Sequence, residues 1–158
     1  MQITGTTSLT LGSRNVEFME FPLDKQKHIE SLYAHLQSVI PAWVIYVSFR
    51  NMAFNNDEGK NVICSVNVDV IYRRVCIDLQ HTFFDNNDTS SQLKDLVHEL
   101  CHAYAQILIS SFDNCIELLD LTIAQKDNYQ KMRKLLIGAA NEQFAVDMSH
   151  CIINLMSV

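Results

Sequence analysis

Between Ser91 and Ser110 the chain reads SQLKDLVHELCHAYAQILIS, a run with no glycine or proline. At about 100° per residue, Leu93, Leu96, Val97, Leu100, Tyr104 and Ile107 fall on one stripe about 100° wide. That spacing predicts an amphipathic helix with one core-facing side. Asn86, Asn87, Asp88, Thr89 and Ser90 precede it, and each has a side chain able to cap it. A second helical pattern runs from Asp127 to Met156, weakly broken at Gly138. Leu135, Ala139, Glu142, Val146, Ser149 and Ile153 follow one another there in steps of four and three, placing a carboxylate in a mostly apolar row. A second apolar row, Phe144, Met148, Cys151 and Leu155, lies on the far side.

Upstream the pattern is shorter in period. Asp24 can cap a helix running to about Ile40, with Pro41 stopping it. Ala42 to Phe49 is rich in β-branched and aromatic residues and predicts a strand. Asn51–Lys60 is polar and predicts a loop. Val62, Cys64 and Val66 alternate with Ile63, Ser65 and Asn67 in a second strand. Apolar parity changes at Arg73 and Arg74, and Val75, Ile77 and Leu79 mark a third strand over Arg74–Gln80. Residues 1–23 hold a Thr/Ser/Gly stretch followed by Val16, Phe18 and Met19, the pattern of an edge strand or a partly ordered arm. The expected fold class is α+β: a small, mostly antiparallel sheet packed on an N-terminal helix, the 91–110 helix and a long C-terminal helix.

Composition narrows the classes. With 158 residues, 48% hydrophobic, 4 Gly and 2 Pro, the chain is expected to form one folded domain over 1–158. Twelve Lys and Arg against 18 Asp and Glu give a formal net charge of −6, which argues against a nucleic-acid partner. Arg73 with Arg74, and the group Lys131, Arg133 and Lys134, are too few to reverse that balance. No basic, apolar leader opens the chain and no apolar run is long enough for a bilayer, so neither export nor a membrane partner is expected. Five cysteines, an odd count without metal-like pairing, fit reduced thiols in a cytoplasmic setting.

The chemistry sits in Val97–Tyr104, VHELCHAY. His98 and His102, four apart, project to one side of the helix, about 170° from the middle of its apolar stripe. Two imidazoles so placed can share one metal ion, and Glu99 between them can take a proton from a water that the metal activates. Asp95, one turn before His98, is placed to orient an imidazole, and equally suits the start of a helix. A catalytic zinc needs a third protein ligand. Ala105 and Leu108 rule out the extended pattern HExxHxxGxxH. Glu142 is the carboxylate whose cost on an apolar face a cation would remove. Glu117, Asp113 and Asp120 compete with it, and His150, about 80° round the helix from Glu142, suits substrate better than metal. Cys101 points to the flank and reads as a packing residue.

HELCHAY followed by the glutamate of NEQFAVDMSH resembles the glutamate-type zincins, or gluzincins, in minimal form. The run NVDVIYRRVCIDLQHTFF…LKDLVHELCHAY is similar to small metallopeptidase-like domains of phages and bacteria. The likeness covers roughly Trp43 to the C-terminus and is specific over Val97–Tyr104. It implies a zincin-like fold, His98, His102 and Glu142 as ligands of one zinc ion, Glu99 as general base, and a protein or peptide substrate. It also implies that the strand before the metal helix, Arg74–Gln80, pairs with an extended peptide, although an interior strand fits the sequence equally. One departure is clear. Gluzincins carry an aspartate four residues after the ligand glutamate, where this chain has Val146, and Asp147 should point about 140° away. Tyr129, His150 and Tyr72 are candidates to stabilise a developing oxyanion. Two other possibilities stay open: a catalytically silent, metal-stabilised binding module or inhibitor, and a deformylase-like site using Cys76, whose companion glycine-rich and EGC motifs are missing.

Overall fold

Val75, Ile77 and Leu79 alternate along one strand and are wholly buried, because that strand lies inside the sheet with a neighbour on each side. The computed structural model describes residues 5–52, 63–85 and 88–156. Its five strands are β1 (Thr7–Leu11), β2 (Arg14–Met19), β3 (Tyr46–Met52), β4 (Cys64–Asp69) and β5 (Arg74–Gln80), in the spatial order β1-β2-β3-β5-β4. The helices are α1 (Leu23–Leu36), α2 (Thr89–Glu117), α3 (Ile123–Met132) and α4 (Gly138–Met156). A 3-10 turn, His81–Phe84, leads into α2, and a π-turn, Arg133–Ile137, joins α3 to α4. The fold is α+β, with a mixed five-stranded sheet.

Mixed, rather than mostly antiparallel, is the first correction. β1 with β2 and β4 with β5 are antiparallel, whereas β2 with β3 and β3 with β5 are parallel. The parallel pairs follow from connections that carry the chain back through α1, and through β4, before the next strand is laid down. Of the two readings of residues 1–23, a strand is what forms. Thr7 to Met19 make a hairpin turned at Gly12 and Ser13, with β1 at the sheet edge, and 1–4 lie outside the described residues. Gly12 takes φ +64 at the first turn position, where a side chain would be strained, and a Cβ there would meet Gln37 Oε1 at 3.0 Å. The expected loop over Asn51–Lys60 begins within β3, and 53–60 lies outside the described residues.

β5 has the expected bounds but not the expected place. It is interior, and the strand at the open end is β4. Parity then fixes which groups of β4 face outward. Gln80 N–H donates to the Ile63 carbonyl, so Ser65, Asn67 and Asp69 bond inward to β5, while Cys64, Val66 and Val68 turn their backbone N–H and C=O to the outer edge.

Val16, Phe18, Val47 and Phe49 continue the β5 face, and α1 and α2 cover it with Ile29, Leu32, Tyr33, Leu36, Leu96, Val97, Leu100 and Cys101. Phe18 stacks on Phe49 at 5.7 Å, and Tyr33 meets Phe49 edge-on at 6.2 Å. Full burial contributes about 1.5–3 kcal/mol for each large apolar side chain. α1 ends at Leu36, a turn earlier than Pro41 suggested, and its cap position is Pro22, with Asp24 in the first turn. Arg14 closes the gap after α1 by donating to the carbonyls of Gln37, Ile40 and Val44. Asp88 caps α2 by accepting from Ser90 N–H, as the sequence offered. Among the described residues no helix is long and apolar enough to cross a membrane.

On the opposite face of the sheet, Arg50 of β3 grips Asp78 of β5 with two bonds of 2.8 and 2.7 Å. Asp78 is buried, so its charge depends on that guanidinium. Arg50→Met should lower stability by about 2–3 kcal/mol. The double variant Arg50→Met/Asp78→Leu should recover much of the loss; urea unfolding midpoints measure both.

Candidate metal centre

The apolar stripe that buries α2 leaves its opposite side facing α4. Leu96, Val97 and Leu100 are fully buried beneath, and His98, Glu99 and His102 are half-buried above. The two imidazole rings lie 5.0 Å apart, close to perpendicular. One ligand atom from each of His98, Glu99 and His102 falls within 4.8 Å of the others. Glu142 reaches over from α4: its Oε1 stands 3.2 Å from His98 Nε2 and its Oε2 stands 3.5 Å from His102 Nε2. One carboxylate thus faces both rings.

The route to Glu142 differs from the one its periodicity suggested. Its side chain is 61% exposed, so it stands on the rim of the cleft rather than inside an apolar row. Ala145 and Ser149 are the buried positions of α4, with Met148, Ile152, Ile153 and Met156 packed partly against the core, so the expected row holds at Ser149 and Ile153. Leu135, expected on the same stripe as Glu142, is 72% exposed. Leu135 lies before α4, within the π-turn at the base of a largely exposed arm. Gly138 N–H bonds back five residues to Arg133 C=O, which absorbs one residue and rotates everything beyond by about 100°.

Glu99 lies deeper. Burial, first, and the nearby Glu142 charge, second, push its carboxyl up to about 7, against a bond from Val66 N–H that favours the ionised form. Val66 is one of the outward-facing residues of β4, so the general-base candidate is tied to the strand edge. Ser65, Asn67, Gln106 and Asn141 join Glu99 and His102 around this arm of the cleft. A second arm, beside His98, is lined by Lys94, Asp95, Ser149 and His150. Asp95 is half-buried there, its carboxyl raised by desolvation and drawn back by His98.

The remaining candidates separate by position. His150 shares the cleft with His98. Tyr129 bonds Asp113, which also takes two bonds from Arg133 at 2.7 and 2.6 Å; all three lie in the α2–α3 hairpin. At about 1.5 Å per residue, Asp113 is roughly 16 Å and Glu117 roughly 22 Å along α2 from His102. Neither can share its metal, and Tyr129 goes with them. Asp120 lies further still along the chain, beyond the end of α2. Tyr72 is 73% exposed in the β4–β5 turn and lines neither arm. Cys76 bonds Asp78 and stands outside the histidine cluster. Cys101 is fully buried, a packing residue as read. Asp147 accepts from Gln143 on the outer side of α4.

The donor set fits zinc. Ligands held at about 2.0–2.2 Å around a tetrahedron stand about 3.3–3.5 Å apart, the size of the two imidazole–carboxylate separations, which run to different oxygens of Glu142. One feature departs from the usual pattern. His102 Nδ1 is buried without a hydrogen-bond partner, as is Asn141 Oδ1 in the same arm. Gln106 shares the histidine side of α2 as its spacing places it, whereas Asn141, Val66 and Lys94 were not legible as cleft residues beforehand, because only the packing of β4 and α4 on α2 brings them there. No protein-family model, curated protein or solved structure matches this chain.

The raised carboxyl has a measurable cost in metal-free protein. Below its ordinary value of 4.5 Glu99 is protonated in both folded and unfolded chains, and nothing is lost. As pH rises towards about 7, only the unfolded chain releases the proton freely, so the folded state loses stability until the group ionises there too. With chelator present, Glu99→Gln should match wild type near pH 4 and exceed it by about 2 kcal/mol at pH 8. Denaturant titrations at the two pH values read the difference.

Proposed function

We propose that the protein is a zinc-dependent peptide hydrolase of the gluzincin type, with a zincin-like fold. The observation that carries this is the Glu142 carboxylate set against Nε2 of both histidines, with Glu99 beside them in the same cleft. His98, His102 and Glu142 would hold the ion. Zinc bound there supplies a Lewis acid that polarises a scissile carbonyl and acidifies a water.

The chain's own groups account for the rest. Glu99 receives the water's proton at its carboxylate and passes it to the leaving amine. His150, on the His98 side of the cleft, is placed to steady charge developing on the carbonyl oxygen. A peptide substrate is supported by β4: the outward backbone groups of Cys64 and Val68, and the Val66 carbonyl, suit an extended chain laid along the strand, taking over the role expected of Arg74–Gln80. Five free thiols suit work in a reducing, cytoplasmic compartment.

Glu99→Gln should keep one zinc per chain and the fold, while peptide hydrolysis falls about a hundred- to ten-thousandfold. Elemental analysis and cleavage profiling on a peptide library read these, and undiminished cleavage would remove Glu99 from the mechanism. Glu142→Ala should lose most of its bound zinc; unchanged metal content would move the third ligand elsewhere.

A further inference from the structure

The helix that carries the histidines is longer than the body it packs on. Steps of four and three along one line of α2 give Val97, Cys101, Tyr104, Leu108, Phe112 and Cys115, ending at Leu119 just past the helix. The first two are wholly buried, and Tyr104 is half-buried with its hydroxyl donating to the Val39 carbonyl. From there on the same line is bare. Leu108 is 74% exposed, Phe112 50% and Leu119 51%, and Cys115 is exposed as well. An apolar line that overruns its own core is built for something further.

The returning arm is also uncovered. α3 has no buried residue, and Ile123, Met132 and Leu135 stand largely in solvent. The two arms carry opposite charge. Ala103–Leu121 holds Asp113, Glu117 and Asp120 with no Lys, Arg or His, whereas Ile123–Ile137 holds Lys126, Lys131, Arg133 and Lys134 against Asp127 alone. The Asp113–Arg133 pair uses one charge from each arm within the hairpin. Glu117 and Lys126 line the cleft between the two arms, and Asp120, Lys131 and Lys134 remain for a second contact.

We propose that this hairpin is a homodimer interface. The acidic α2 arm of one copy packs on the basic α3 arm of the other, and the reverse, about a two-fold axis. Such an isologous contact requires a surface complementary to itself, and matched acidic and basic blocks on one hairpin provide it. The resulting four helices alternate in charge around the bundle. Leu108, Phe112, Leu119, Met132 and Leu135, at roughly 100 Å² apiece, offer about 500 Å² per copy, and a polar rim brings this towards the ~800 Å² of a stable interface. A net charge of −6 disfavours an anionic lipid surface as the occupant.

Sedimentation equilibrium of the full chain at tens of micromolar, in low salt, tests this. Wild type should be a dimer. Leu108→Glu/Met132→Glu, both changes at exposed positions, should be monomeric with an unchanged circular dichroism spectrum. Lys131→Glu/Lys134→Glu should weaken association at least tenfold without touching the apolar line, and high salt should weaken the wild-type dimer likewise. A wild-type monomer at these concentrations overturns the proposal, as does a folded Leu108→Glu/Met132→Glu variant that stays dimeric. Monomeric protein that instead sediments with phosphatidylserine vesicles would overturn it by giving the face to a membrane.

Discussion

Packing of α4 across α2 is the contact on which the centre depends. The histidines belong to one turn of one helix, so their spacing is guaranteed locally. The carboxylate opposite them comes from a different helix, forty residues later, and reaches Nε2 of both rings only while the two helices hold their crossing. Ala145 and Ser149 make that approach close, since neither side chain adds bulk where α4 meets the body. Met148 and Ile152 anchor the same helix against the core. Three donors thus converge through tertiary packing that the apolar residues maintain.

Placement of Glu99 follows from the same arrangement. Its helix is pressed against β4, so the carboxylate loses water and meets a strand N–H. Burial raises its proton affinity while the strand bond lowers it, leaving a group that changes charge near neutrality. That poise comes at the expense of stability, and the wholly buried side chains of β2, β3, β5, α1 and α2 outweigh it.

Much of this was legible in the chain, and the rest was hidden for physical reasons. α2 declared itself by a stripe, a cap and a pair of histidines, all local signals. β5 was legible to its ends because alternation is sharp where one face is buried. Strand order was not legible. Alternation says which face is wet but not which neighbour is adjacent, so β5 could pass for an edge when β4 holds that place. The β1–β2 hairpin was obscured because Gly12-Ser13 is a weak signal amid a Thr/Ser-rich stretch. Glu142 was singled out for an incomplete reason. It does face the histidines, but from an exposed rim, and the apolar row assumed around it packs on the core only from Ser149 onward, with Leu135 in solvent.

That turn carries a consequence of its own. The hydrogen bond spanning Arg133 to Gly138 sets the helical phase of the α3 arm relative to α4. Ala145 and Ser149, on the same unbroken helix as Glu142, set the phase of the acid against the imidazoles. Helical phase here behaves as a dial with one notch per residue. Losing a single residue within the turn would leave α4 seated by Ala145 and Ser149, yet swing the α3 arm by about a quarter turn. Chains descended from this one could therefore re-aim that arm through length alone, with His98, Glu99, His102 and Glu142 still facing one another.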